Sequence, residues 1–344
     1  LLVSDFDYHL PPELIAQNPL KERDRSRMMI LERRSGEIIH SHFSEIVEWL
    51  GGNDVLVLNS SRVIPARVWG AKKDGRPIEF LFLKKRGKKT WEVLCRPARR
   101  VRTGDKMTFS EDFSGEVIKE EAEGRRVIRF PVGDVIARLK KTGFAPLPPY
   151  IKRKKDDDRL RDLDLERYQT VFAQKDGSIA APTAGLHFTP QLLQKIKSRG
   201  AHVCMLSLDV GLATFQPIRA EKVENHRMLE ESYAVPLEMA RLTTEAKKED
   251  RPITAVGTTS VRALESAYEN GRVRPGRAST NLFIYPGYTF KVVDRLLTNF
   301  HLPRSSLLML VSAFAGLGFI QKAYAEAVRR RYRFYSYGDC MLIL

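Results

Sequence analysis

Cysteine is scarce in this chain: Cys95, Cys204 and Cys340 are the only three among 344 residues. Their odd number and wide spacing argue against a disulfide framework and offer no metal-type or redox pair, which fits a reducing cytoplasm. Long apolar runs are missing as well. The longest, Leu307 to Ile320, is interrupted by Ser312, Gly316 and Gly318 and falls short of the roughly 20 residues a membrane span needs. The early acids and His9 are unlike a signal peptide, so a cytoplasmic protein without a membrane partner is expected. Acidic residues are outnumbered 42 to 58, and the formal net charge is +16. Such an excess points to a polyanion, most simply nucleic acid, and away from a purely small-molecule enzyme. Walker A, G-x-G-x-x-G after a strand and H-E-x-x-H are all lacking, which argues against nucleotide hydrolysis, a standard dinucleotide fold and a zincin. No histidine pair has convincing ligand spacing, so no metal is expected.

What is present is a 43% apolar chain, long enough for two domains and a substantial core. Pro12 to Gln17 and Phe43 to Leu50 read as helices, and Arg27 to Leu31 and Asp54 to Leu58 (DVLVL) as strands. From Val63 onward, short β-type runs follow one another at 67–71, 78–83, 91–95, 106–109, 115–119 and 126–130. Turn formers such as Asp74-Gly75 and Glu123-Gly124 separate them, and a small barrel or sandwich is the natural outcome. Fifteen Lys and Arg stand against four Asp and Glu between Arg62 and Lys106, a net +11 suited to gripping phosphates. Asp134 to Lys141 reads as a helix, 145–150 (APLPPY) as a rigid connector and Lys152 to Asp164 as an exposed loop. Strand and helix patterns then alternate: strands at 201–208, 253–256, 282–285 and 341–344, helices at 236–248, 261–270, 305–315 and 321–331. The fold class expected is therefore α/β, a mostly parallel, layered α/β/α domain (1–60 plus 151–344) with a small basic β-barrel inserted at 61–150.

Two turns could carry chemistry. Gly177 to Thr189 holds no Asp, Glu, Lys or Arg and is built mostly from small residues, so its backbone can lie close to a ligand or to another backbone. Thr189 and Pro190 then open a helix as N-cap and first residue. Gly257, Thr258, Thr259 and Ser260 offer hydroxyls and free N–H groups at a second helix start, suited to a carboxylate, a phosphate or a ribose, or merely to capping the helix. Two such turns after separate strands suggest a shared pocket. His187, His226 and His301 are the histidines placed by context, and Arg62 and Arg67 sit where the α/β layer hands over to the barrel.

Beyond these features the chain resembles the S-adenosylmethionine:tRNA ribosyltransferase-isomerase family of queuosine biosynthesis. The resemblance spans essentially the whole sequence. It is carried by DFDYHLPPELIAQ (5–17), LNSSRVIPAR (58–67), LPPY (147–150), YQTVFA (168–173), AAPTAGLHF (180–188), VGTTSVRALES (256–266), TNFHLPRSSLLMLVSAFAG (298–316) and YRFYSYGD (332–339). Asp209, Ala213 and Leu229 depart from it, standing where the family usually has His, Gly and His, and Asn59-Ser60-Ser61 is also atypical. The resemblance implies a cytoplasmic, monomeric enzyme whose partner is the anticodon arm of a tRNA carrying a 7-aminomethyl-7-deazaguanine at the wobble position. S-adenosylmethionine would be the ribosyl donor, with epoxyqueuosine-tRNA, adenine and methionine as products. On that reading we expect His187 or His301 as acid/base, and Pro182, Thr183, Gly185, Phe188, Gly257, Thr258, Thr259 and Ser260 around the donor. Asn59, Arg62, Arg67 and Arg96 would hold the tRNA. A non-catalytic RNA-binding protein and an S-adenosylmethionine-dependent tRNA methyltransferase are the alternatives.

Overall fold

Strand β3 (Val55–Asn59) lies at the middle of the molecule, and its side chains alternate between two cores. Val55 and Val57 face one and Leu56 and Leu58 the other, all four fully buried. Burial on both faces is what a continuous apolar run such as DVLVL requires. The computed structural model describes residues 1–131, 133–153, 158–211 and 218–344. Around β3 a nine-stranded sheet assembles from β1 (Arg27–Glu32), β2 (Glu37–His42), β12 (His202–Leu208), β13 (Glu231–Val235), β14 (Ile253–Val256), β17 (Gly276–Thr280), β18 (Arg295–Asn299) and β19 (Cys340–Ile343). Its order is β17-β13-β12-β3-β14-β18-β19-β1-β2. Parallel pairing joins β12, β3, β14 and β18, and again β19 and β1. The remaining neighbours are antiparallel. The parallel character expected from the alternating pattern thus belongs to the centre, where helices make the crossovers. At the margins β1 and β2 form a tight hairpin, while β13–β17 and β18–β19 are antiparallel pairs of strands distant in sequence.

Helices α4 (Leu237–Lys248), α5 (Thr258–Ala267), α6 (Ser306–Ala315) and α7 (Leu317–Arg329) cover one face, and α3 (Pro190–Ser198) with the 3₁₀ turn Phe43–Glu48 covers the other. Thr189 caps α3 as expected, its hydroxyl accepting from the Leu192 N–H at 3.1 Å. Several expectations are corrected. Pro12–Leu14 and Phe43–Glu48 are 3₁₀ rather than α-helical. Residues 282–285 form no strand; Phe283 and Tyr285 pack ring to ring there, 5.1 Å apart. The supposed loop 152–164 contains the start of helix α2 (Asp158–Arg167), anchored where Arg153 donates to both carboxylate oxygens of Asp164 at 2.7 and 3.0 Å. Its residues 154–157 lie outside the described residues, as does Ala213. Among the described residues no single helix is long and apolar enough to cross a membrane.

The inserted segment closes into a six-stranded barrel. In chain order its strands are β5 (Arg67–Ala71), β6 (Pro77–Lys85), β7 (Thr90–Arg96), β8 (Lys106–Ser110), β9 (Phe113–Glu120) and β10 (Arg125–Arg129). Closure leaves no sheet edge exposed. Phe80, Phe82, Phe109, Phe113 and Phe130 fill the interior ring against ring, with Phe113 and Phe130 stacked at 5.2 Å. Gly115 makes the room, since a Cβ there would lie 2.6 Å from Ile128. Helix α1 (Val135–Thr142), capped by Asp134, packs Val135 and Leu139 into the same core. The chain enters through β4 (Ser61–Val63), which pairs in parallel with β11 (Lys175–Ser178) of the main body. It leaves at Phe144, which exchanges backbone hydrogen bonds with Arg67 at 2.8 and 3.3 Å.

Candidate active site

The two small-residue turns meet. At the end of β14 the chain reverses through Gly257 at φ +83°, a conformation costly for any residue with a side chain, and α5 starts at Thr258. The Gly257 N–H donates to the Leu297 carbonyl at 2.8 Å, tying the turn to the end of β18. A Cβ on Gly257 would lie 3.7 Å from that of Ala184. Between these elements opens a cleft walled by Ala180 to Ala184, Val210, Gly257 to Thr259, Thr298 to Leu302, Ser305, Leu307, Pro149, Tyr150, Tyr168, Tyr335 and Ser336. Among its lining residues there is no Asp, Glu, Lys or Arg.

Of the residues singled out from sequence, Pro182, Thr183, Gly257, Thr258, Thr259 and His301 come together on this wall. His301 is held from three directions: its N–H donates to Tyr324 Oη at 2.9 Å, its carbonyl accepts from Tyr8 at 2.5 Å, and Nε2 lies 3.0 Å from Thr298 Oγ1. Burial pushes its imidazole down to about 3, so the ring is neutral at physiological pH.

Other expected contacts are placed differently. His187 is buried, with Nδ1 2.7 Å from Ser26 Oγ and Nε2 3.1 Å from the Asn299 amide. It borders a separate depression with Arg23, Ser26 and Arg167. Burial, reinforced by the positive charges of Arg333 and Arg23, lowers it to about 3 as well. Gly185 is a packing residue, because a Cβ there would come within 2.8 Å of Phe172 and 2.9 Å of Thr170. Phe188 is fully buried edge-on to Phe43 at 4.9 Å, and the Ser260 hydroxyl is spent on the Val256 carbonyl at 2.7 Å.

Asn59 is not a surface anion ligand. Its Oδ1 accepts from the N–H groups of Ser61 and Leu208, and its Nδ2 donates to the Leu208 carbonyl and, at 3.3 Å, to Thr259 Oγ1. A buried amide that saturated has nothing left for a phosphate, but it fixes Thr259 on the cleft wall. Arg62 is exposed, donating to the Ala173 carbonyl at 2.7 Å. Arg67 donates to the Leu147 carbonyl at 2.8 Å and lies 3.4 Å from Glu79. Together with Arg96, Arg67 lines a second cleft of about 510 Å³ on the barrel flank, and Pro149 borders both clefts. Arg96 is exposed and, like Lys84, Lys85, Lys88, Lys89 and Arg99, has no ion-pair partner among the described residues. Neither Asp209, packed beside Gly177, nor the exposed Leu229 borders the first cleft.

Reading single residues missed Tyr150, Tyr168, Asn299, Tyr335 and Ser336 on the cleft wall. Their signal was present only as the stretches LPPY, YQTVFA, TNFHLP and YRFYSYGD, which are far apart in the chain and converge here. Among the described residues no group of three or more His, Cys, Asp or Glu could hold a metal ion.

A family model described as queuosine biosynthesis protein matches residues 3–343. The chain is 49% identical over 342 residues to the S-adenosylmethionine:tRNA ribosyltransferase-isomerase of Thermotoga maritima, with 99% of each chain covered. It is 47% identical over 344 residues to the protein of the same name from Carboxydothermus hydrogenoformans, again covering 99% of each. Among solved structures it is similar to the crystal structure of S-adenosylmethionine tRNA ribosyltransferase from Thermotoga maritima. That match has a TM-score of 0.56 and 40% identity, and covers 99% of this chain and 100% of the other.

Proposed function

The chain belongs to the queuosine biosynthesis protein family, and from that membership we propose that it is an S-adenosylmethionine:tRNA ribosyltransferase-isomerase. It moves the ribosyl portion of S-adenosylmethionine onto the aminomethyl group of a 7-deazaguanine at the tRNA wobble position. The products are epoxyqueuosine-tRNA, adenine and methionine. The observation that carries the reading is the convergence of both small-residue turns and His301 on one uncharged cleft that shares Pro149 with a cationic barrel flank.

The cleft suits this donor. Open N–H groups at the start of α5, with the hydroxyls of Thr258 and Thr259, suit the methionine carboxylate or the ribose. The aromatic wall of Tyr150, Tyr168 and Tyr335 suits a donor that carries both a cationic sulfur and a flat base, because a cation is drawn to an aromatic face and a base stacks on one. His301, neutral and on the wall, takes the C5′ proton next to the sulfur. That transfer leaves the sulfur-bearing fragment neutral and the imidazole cationic, so positive charge moves within the cleft and none is newly created in it. Low dielectric therefore opposes the step far less than it opposes protonation from water. Arg62, Arg67 and Arg96 hold the anticodon backbone while the target base leaves its stack. We assign tRNA binding to the barrel (61–150) and chemistry to 1–60 plus 151–344, in a monomeric cytoplasmic enzyme.

Incubation with labelled S-adenosylmethionine and the precursor tRNA tests this. Adenine and methionine should appear with the ribosyl label in the tRNA. S-adenosylhomocysteine would instead mark a methyltransferase, and no product a passive binder. His301→Gln should retain binding of both substrates and lose adenine release at least 100-fold, the scale of a general base. Undiminished turnover would remove it from the role.

A further inference from the structure

Three buried polar atoms on the cleft wall have no hydrogen-bond partner among the described residues: the Tyr168 hydroxyl, Asn299 Oδ1 and the Tyr335 hydroxyl. The last two belong to residues joined by a hydrogen bond and almost wholly buried, at 2% and 4% exposure. Unsatisfied buried polar groups cost stability, and in a native chain they are explained by what binds there.

Neither atom is free to swing away. The Asn299 amide nitrogen donates to the Tyr335 carbonyl at 3.2 Å and the Asp339 carbonyl at 3.3 Å, and it lies 3.1 Å from His187 Nε2. Turning the amide over would set Oδ1 against two carbonyl oxygens, so the orientation is fixed with Oδ1 as the unused acceptor. It also fixes the tautomer of His187: Nε2 accepts, and Nδ1–H donates to Ser26 Oγ at 2.7 Å. Tyr335 is held in the left-handed region at φ +70°, with its ring 4.5 Å from that of Tyr150. A bulky residue kept in that conformation is backbone strain maintained by its surroundings, and such strain collects at binding sites. Burial raises the phenol well above its ordinary value, so it stays protonated and can donate.

We propose that Asn299 and Tyr335 read the adenine base of the donor: Oδ1 accepts from the exocyclic N6 amine, and the phenol donates to the ring nitrogen N7. This rests on the ribosyltransferase reading and names the part of the donor that these residues recognise. One fixed acceptor and one fixed donor on the same wall, with the flat ring of Tyr150 against Tyr335, match the amine and ring-nitrogen edge of an aminopurine. A methionine head group would fill the pair only by bringing its carboxylate to the phenol and away from the Gly257 to Thr259 turn. The position agrees with the rest of the site. Asn299 follows Thr298 at the end of β18, and β18 pairs in parallel with β14, so the adenine subsite adjoins the Gly257 to Thr259 turn proposed for the carboxylate or ribose. A donor to N7 also supports departure of the base, since it stabilises charge growing on the leaving ring. His187 is then a positioning residue, acting through the Asn299 amide.

Competition binding against S-adenosylmethionine with adenine, purine (lacking N6) and 7-deazaadenine (lacking N7) tests the assignment on the intact chain. Wild type should prefer adenine to each analogue by about 3- to 10-fold, the range of one neutral hydrogen bond. Asn299→Ala should erase the preference over purine and keep that over 7-deazaadenine; Tyr335→Phe should do the reverse. Tyr335→Phe removes only an unpartnered hydroxyl, so it should melt no lower than wild type, which keeps the test independent of folding. His187→Gln should shrink the adenine-to-purine ratio without touching the 7-deazaadenine ratio. Equal losses for all three bases in every variant, or a wild type indifferent between adenine and purine, overturns the proposal. So does a preference for free 7-aminomethyl-7-deazaguanine that Asn299→Ala abolishes. Turnover with precursor tRNA, run alongside, separates the two failures: product formation without base discrimination sinks this inference alone, and no product sinks the reading beneath it.

Discussion

Lowering the pH from 7 to 5 should cost this protein about 4 kcal/mol of stability through two side chains. His187 and His301 are buried and held near 3, against about 6.5 in an unfolded chain. Each is neutral when folded and takes up a proton readily once unfolded, so their contribution is fully present above pH 6.5. It is lost as the pH falls towards 3. At pH 5 the unfolded state gains about 2 kcal/mol per histidine relative to the folded one, while at pH 7 the term is close to zero. Against a typical total of 5–15 kcal/mol the loss is large. Urea unfolding followed by far-UV circular dichroism at pH 7, 6 and 5 measures it. His187→Gln and His301→Gln, whatever each does to stability at pH 7, should each remove about 2 kcal/mol of the loss between pH 7 and 5. A variant whose midpoint falls between pH 7 and 5 as steeply as wild type would refute the idea that its histidine is kept neutral by burial.

Two further outcomes follow from geometry. Gly143→Ala would set a Cβ 2.0 Å from the Pro65 carbonyl oxygen, where backbone meets backbone and cannot yield. The junction should lose about 2 kcal/mol or more and the melting temperature should drop by several degrees; an unchanged melt would mean the seam relaxes freely. Arg96→Ala, at an exposed cation without an ion-pair partner among the described residues, should leave the melt unchanged. It should weaken tRNA binding and flatten the plot of log affinity against log salt by about 0.7 to 0.9. A salt slope identical to wild type would place Arg96 off the phosphate path.

The central strand DVLVL, the barrel runs between their Asp-Gly and Glu-Gly turns, and the Thr189-Pro190 helix start were legible because each signal is local. Strand β18 was not. Its sequence, RLLTN, carries Arg295, Thr298 and Asn299, and it is a strand because β14 and β19 flank it on both sides. Helix α2 was hidden by charge of both signs, and its packing depends on Asp164 reaching Arg153 and, at 3.2 Å, Tyr337. The cleft was half visible. Its small-residue turns announce themselves in sequence, whereas Asn299 acquires meaning only from His187, 112 positions earlier. Conversely, Asn59 and Ser260 look functional in a list of polar residues, yet the ends of β12 and β14 take up their hydrogen bonds internally.

The paired backbone bonds between Arg67 and Phe144 bring the barrel's entry and exit together. A segment that departs and returns at one place can be lifted out like a cassette on a short glycine bridge, provided that Ile179, which the main body lends to the barrel core, is replaced by a polar residue. The same geometry lets a differently shaped barrel be grafted onto an unaltered sheet, so on the proposed division of labour RNA gripping and bond making become separable in this scaffold.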